Sequence, residues 1–373
     1  MPLLAVLEGI AGVLVVCAIL LDVFQSVVVP RRVSRTARLS VYLVRGLWRV
    51  WRAIGLRLPS SELREGFLGT FGALAVILLL IAWVASLVLG YGLLLHALRS
   101  QIRPEPENLG TALYFAGTAL FTIGSADIVA TEGPARLITL LAAASGLGVV
   151  ALVVTFLFTL YGSFQRRETA VVVLQAGAGA PPSGVTLLET YALAGILDDL
   201  PRVFADWQAW AAEVLDSHLA YPVLAYFRSS HDNDSWISSL GAVMDAATLV
   251  LTTIDGGPKG WAKLSRAVGG HCLEDLVLYF RLPDDRDVGV ERGEFEAACE
   301  RLARAGFVLR EAEEAWASFV RLRSESAGRV NALARYWASP PAQWIGDRSP
   351  LTSPRLHGER PGILPPAGAT DAR

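Results

Sequence analysis

Charge is scarce in this chain: Asp, Glu, Lys and Arg make up 18% of its 373 residues, against 53% hydrophobic residues. That balance excludes an ordinary soluble enzyme and, with a positive mean hydropathy, reads as a membrane protein. Cysteine is rarer still. Cys17, Cys272 and Cys299 have no paired spacing, which argues against a disulfide framework and against a zinc site. Missing too is the strand–helix alternation with a glycine-rich phosphate turn that marks nucleotide-binding domains; Gly177 and Gly179 open no βαβ unit. No basic residue precedes the first apolar run, and that run is far longer than a signal h-region, so it reads as a retained span. The formal net charge of −2 hides an asymmetry, a basic first half and an acidic segment from Pro181 to Pro340. An acidic domain is no partner for nucleic acid.

What is present is apolar length. Leu3–Val29, Phe67–Leu98 and Pro134–Phe164 can each cross about 30 Å of hydrocarbon at about 1.5 Å per residue. Between the first two lie Arg31, Arg32, Arg35, Arg38, Arg45, Arg49, Arg52, Arg57 and Arg64 against Glu62 and Glu65, and Arg166 and Arg167 follow the third. Positive-inside bias places both segments in the cytoplasm and the N-terminus outside. The loop Arg99–Gly110 is then an outer turret. The stretch Leu39–Leu58 carries Arg45, Arg49 and Arg52 on one helical face, Leu43, Leu47, Val50 and Ile54 on another, and Trp48 and Trp51 at the side, as an interfacial helix does. Glu8 and Asp22 lie inside the first span, where a carboxylate faces protein or water, Asp22 also within snorkelling reach of the cytoplasmic arginines. His96, at the end of the second span, reads as an interfacial residue.

Between spans two and three, Leu113–Asp127 is a short half-membrane helix running into a glycine turn. Non-helical backbone at membrane depth survives only where it is buried in protein or lines a water-filled path, so the layout is that of a pore loop. Thr122-Ile123-Gly124-Ser125-Ala126-Asp127 resembles the potassium-channel superfamily filter, Thr-Val-Gly-Tyr-Gly-Asp. The resemblance runs from Phe67 to about Arg167. It implies four subunits around one pore, with oxygens of Thr122, Ile123 and Gly124 replacing the hydration shell of a monovalent cation. Gly124 suits the alternating backbone conformations of such a filter. Tyr114 and Phe115 match pore-helix aromatics, Asp127 the outer carboxylate, and Thr118 stands where some members place that carboxylate's partner. Gly146 and Gly148 match the region where inner helices bend; glycine there also serves close packing.

Ser125 and Ala126 depart from the family. A serine cannot span the gap an aromatic fills, and alanine at a positive φ costs about 1 kcal/mol or more. The outer half of the filter should therefore be wider or rearranged. The function implied is a homotetrameric cation channel passing K⁺ and also Na⁺ with weak potassium preference. A non-conducting membrane scaffold or sensor that keeps the channel fold is the alternative. No enzyme or cofactor is implied, and the partners are other copies, membrane lipid and monovalent cations, in the plasma membrane.

The expected fold is an all-α membrane protein of three transmembrane helices per subunit, with a re-entrant pore helix and filter loop and a cytoplasmic helical domain. Residues 1–30 form the first span, 31–65 the basic segment with its interfacial helix, 66–168 the pore module, 169–184 a flexible linker, 185–340 the helical domain and 341–373 a disordered tail. Within the domain, Thr186 and Glu189 have capping-box spacing. Helical periodicity recurs over 187–200, 203–229, 236–254, 260–281, 292–304 and 311–338, with a break at Pro201. Trp207, Trp210, Trp236, Trp261, Trp316 and Trp337 read as core. His218, His231, Asp232, Asp234, Asp245, His271, Glu274 and Asp275 invite a metal-hydrolase reading, yet His231–Ser235 is better explained as a helix start. Phe227-Arg-Ser-Ser230 reads as a solvated turn, with anion binding the alternative. No motif identifies a regulator of this domain.

Overall fold

The apolar runs fold as helices because each carries 25 or more residues with no interior proline and little charge, and hydrocarbon leaves the backbone no partner but itself. The computed structural model describes residues 2–29, 39–229, 234–283 and 289–346; Arg31, Arg32, Arg35, Arg38, His231 and Asp232 lie outside the described residues. In chain order the helices are α1 (Pro2–Val27), α2 (Leu39–Gly55), α3 (Ser61–Gly69), α4 (Phe71–Ala97), α5 (Leu109–Leu120), α6 (Gly133–Ala178), α7 (Gly184–Leu193), α8 (Leu200–Ala220), α9 (Trp236–Thr252), α10 (Lys259–Phe280), α11 (Arg292–Arg304), α12 (Ala312–Arg323) and α13 (Ala327–Trp337). One two-residue ribbon, β1 (Ile102–Arg103) against β2 (Val129–Ala130), completes the described structure. The protein is an all-α membrane protein with three helices long and apolar enough to span, followed by further helices.

The chain divides into two compact units, 1–51 with 70–162 and 52–69 with 163–373. In the first, α1 packs along α4 at a small-residue crossing. A Cβ on Gly12 would stand 2.7 Å from the Gly90 carbonyl oxygen, and one on Gly90 2.7 Å from Val16 Cγ2, so glycine sets the helix separation there. Two polar contacts flank the crossing. Glu8 Oε2 lies 2.9 Å from His96 Nδ1, and Asp22 accepts from Trp83 Nε1 at 2.7 Å and from the Ser40 hydroxyl at 3.1 Å. Asp22 thus faces protein, and His96, in the last turn of α4, is paired with Glu8. Trp48, at the side of α2, is buried against Phe71, with ring centroids 4.9 Å apart.

The second unit is built around α9, in which every residue except Leu251 is buried. Its only charged side chain is Asp245, and it is buried on every face, so it must be covered all round. Helices α7, α8, α10, α12 and α13 pack against it. Buried and partly buried arginines hold the surrounding segments. Arg323 binds Asp245 through Nε at 2.8 Å and donates to the Trp344 carbonyl, Arg266 reaches Thr248 and the Leu322 carbonyl, and Arg228 joins Glu65 at 2.6 Å to the Trp337 and Ala338 carbonyls.

Several sequence expectations are corrected here. Residues 169–178 are not a linker but the last turns of α6, where Gly177 packs under Leu187 and Tyr191. The compact second unit accordingly begins at Ser163, not 185, and takes in 52–69. Ser183, not Thr186, caps α7, accepting from the Thr186 amide; Thr186 and Glu189 both receive Arg301 instead. Pro201 sits in the first turn of α8, where its missing N–H costs nothing, and that helix stops at Ala220 before Pro222. The span 311–338 is two helices, broken at Ser324–Ser326. Residues 341–346 are ordered structure with Trp344 and Ile345 buried, so the expected tail can begin only beyond them, outside the described residues. Trp261 is 45% exposed and is not core.

Candidate pore loop and its surroundings

Helix α5 starts at Asn108, whose Oδ1 accepts from the Thr111 amide at 3.0 Å. It ends in a Schellman arrangement. The Thr122 amide donates to the Ala119 carbonyl at 3.0 Å and the Ile123 amide to the Thr118 carbonyl at 2.9 Å, with Thr122 left-handed at φ 55°. Gly124 is left-handed again at φ 76°. Two left-handed residues separated by one give this stretch an alternating backbone, and glycine is needed at the second. Among the described residues none donates a hydrogen bond to the carbonyls of Thr122, Ile123 or Gly124. All three residues are exposed, Ile123 at 73%.

Beyond Gly124 the chain is organised differently. Ser125 Oγ donates to Asp127 Oδ1 at 2.5 Å and accepts from the Ile128 amide at 3.2 Å, closing a tight local turn. Ala126 is not among the positive-φ residues, so its Cβ carries no conformational penalty. Thr118 does not brace Asp127: its hydroxyl donates to the Phe115 carbonyl, within α5. Phe115 is buried and Tyr114 is 55% exposed, so the two aromatics serve different faces of the helix. After the turn, Ile128 and Ala130 enter the core and β2 pairs with β1.

Helix α6 runs past the end of α5 at very close range. A Cβ on Gly146 would lie 1.8 Å from the Leu120 carbonyl oxygen, whereas one on Gly148 would meet nothing within 4 Å. Tyr91 of α4 reaches Ser145 of α6 at 2.5 Å. An apolar cavity of about 200 Å³ lies between Val84, Leu87, Phe121, Thr122 and Val150.

In the second unit Arg167 is buried at 2% exposure. Its guanidinium donates to Glu168 Oε1 at 2.9 Å, to the Leu224 and Phe227 carbonyls at 3.1 and 2.7 Å, and to His218 Nε2 at 3.1 Å. Phe164 and Trp236 each lie 5.3 Å from its centre. An arginine can only donate, so His218 Nε2 is the acceptor and the ring is neutral. Burial first, and the Arg167 charge second, hold His218 well below the usual imidazole range. No sequence signal marked Arg167 as anything but a positive-inside charge. The other polar candidates are dispersed: Asp245 to Arg323, Glu274 to Arg329 at 3.2 Å, Arg228 to Glu65, and Ser235 to the α9 cap. No group of three metal-ligating side chains comes together among the described residues.

Comparison with known proteins adds two findings. A family model described as an ion channel matches residues 74–162, which hold α5, the Thr122–Asp127 segment and the facing parts of α4 and α6. YdjJ of Bacillus subtilis (strain 168), described as an uncharacterized membrane protein, is 24% identical over 204 residues, covering 53% of this chain and 58% of the relative. The chain thus spans little more than half the length of that relative. No solved structure matches the chain significantly. Residues 74–162 are therefore similar to an ion-channel pore module, within a chain that is similar over about half its length to a membrane protein of Bacillus subtilis.

Proposed function

We propose that the chain is one subunit of a homotetrameric, potassium-channel-like cation channel whose filter is Thr122–Asp127 and whose preference for K⁺ over Na⁺ is weak. The carrying observation is the run of three unpartnered carbonyls at Thr122, Ile123 and Gly124. Main-chain acceptors among spanning helices need a partner, and a dehydrated cation supplies one. One chain carries one such segment, so a closed ring of oxygens needs several copies, and the resemblance makes that number four. Weak selectivity follows from the outer half: Ser125 is spent on a local turn, which leaves the carbonyls of Thr122, Ile123 and Gly124 to supply the ion sites. The gating bend of α6 falls at Gly148, in open surroundings, while Gly146 serves close packing. The arginines of the 31–65 segment support a cytoplasmic side for it and for the helical unit, in the plasma membrane, with the N-terminus outside.

Bilayer recording of purified protein under bi-ionic K⁺ and Na⁺ gradients tests this, together with crosslinking in mild detergent. Expected are a cation current with a reversal potential near zero and a four-subunit species. Strong potassium selectivity refutes the weak-filter reading. Absence of any current from a four-subunit protein leaves the non-conducting scaffold, and a stable monomer or dimer refutes the assembly.

A further inference from the structure

The family's outer aromatic is replaced by Ser125, yet the segment after it is not loose: Ile128 and Ala130 are buried and β2 is paired. Its support comes from Gln101, at the end of the short turn Arg99–Gln101 that follows α4. The Gln101 carbonyl accepts from the Thr131 amide at 2.8 Å and from the Thr131 hydroxyl at 2.9 Å. Its side-chain Oε1 accepts from the Ala135 amide at 3.1 Å, in the first turn of α6, where backbone N–H groups have no helical partner. One residue thus holds both the strand leaving the Thr122–Asp127 segment and the start of the next spanning helix. Next to it, Ile102 pairs with Ala130 and Arg103 with Val129, and Arg136 Nε adds a bond to the Ala130 carbonyl at 3.2 Å.

We propose that Gln101 is the positioning residue for the outer end of the filter, doing through β1–β2 and the α6 N-terminus what a ring packed behind the filter does elsewhere. This rests on the channel reading above. The inner half is anchored to α5 by the Schellman bonds at Thr118 and Ala119, the outer half to the end of α4 by Gln101, and Ser125 closes the turn between the two anchors. The position of the outer end, and with it the residual selectivity of the inner carbonyls, is then set by a residue more than twenty positions before the filter motif.

Full-length protein in nanodiscs carries the test, with Gln101→Ala, Gln101→Glu and Thr131→Val. Gln101→Ala removes the acceptor for the Ala135 amide, a loss comparable to that of a helix N-cap, so amide exchange in peptides covering 125–135 should quicken roughly fivefold. Peptides from α9 and α13 should not change. In the same variant the K⁺/Na⁺ permeability ratio should move at least about twofold, which general loss of stability does not produce. Gln101→Glu keeps an acceptor oxygen and should restore both readings, and Thr131→Val should give a smaller effect in the same peptides. Unchanged exchange in Gln101→Ala, or a conducting Gln101→Ala channel with an unchanged ratio, overturns the proposal. Parent protein that passes no current fails the channel reading instead, and the brace is then decided by exchange alone.

Discussion

Two glycines two residues apart in α6 should respond oppositely to the same methyl group. In Gly146→Ala the new Cβ starts 1.8 Å from the Leu120 carbonyl oxygen and 2.8 Å from its carbon. Relief to an ordinary contact needs roughly 1.5 Å of separation between α6 and the end of α5. Both neighbours are backbone, so no rotamer change helps, and overpacking of this kind costs about 1–3 kcal/mol. Gly148→Ala meets nothing within 4 Å. Both variants gain the same helix propensity, about 0.5–1 kcal/mol, so the difference between them isolates the clash. Thermal unfolding of the two in one detergent should separate their midpoints by roughly 2–10 °C. Because Leu120 is followed by Phe121 and Thr122, unitary current should also fall in Gly146→Ala. Equal midpoints for the two variants would show that the close approach of α5 and α6 does not exist as described.

Other outcomes follow from the buried polar contacts. The folded pKa of His218 lies below its unfolded value, so its contribution to stability is fully present above about pH 6.5 and is lost as pH falls below that toward the folded pKa, by at most about 1.4 kcal/mol per pH unit. Denaturation at pH 5, 6 and 7 should show this slope in the parent and a shallower one in His218→Gln; identical slopes contradict a neutral, buried ring. Arg167→Met leaves Glu168 buried without its guanidinium and should cost about 3–5 kcal/mol by chemical denaturation in detergent, a loss below 1 kcal/mol being incompatible with the geometry. Asp22→Leu leaves two buried donors, Trp83 Nε1 and the Ser40 amide, without their acceptor and should cost about 1–3 kcal/mol. An unchanged melting temperature in Asp22→Leu would show that the carboxylate is not the acceptor.

The spans and α5 were legible because apolar length and a glycine turn are one-dimensional signals, written in consecutive residues. The end of α6 was not. Val171–Val173 and the Gly-Ala run after them carry no stop signal strong enough to outweigh packing by Leu187 and Tyr191, which lie beyond Pro181 and fold back onto Gly177. The contacts of the arginines are illegible in sequence for a related reason. A sequence gives a guanidinium its charge but not its acceptors, and those of Arg167 are carbonyls of residues 224 and 227, recruited only when the turn after α8 closes. The Thr122-Ile-Gly124 motif located the candidate segment, while Gln101 left no trace, since its role lies in where its oxygens point.

The contacts between α1 and α4 bear on how the protein is made. Each carboxylate in α1 raises the cost of leaving that helix alone in hydrocarbon, by up to about 3 kcal/mol at mid-bilayer and less toward the ends. Glu8 finds His96, and Asp22 finds Trp83, only once α4 has emerged from the ribosome some 70 residues later. Integration of the first span is therefore completed by the second. Replacing α1 with a generic signal-anchor of equal length would preserve topology but strand Trp83 and His96 and lose the Gly12–Gly90 crossing, so this helix is a component matched to its neighbour and not an exchangeable anchor.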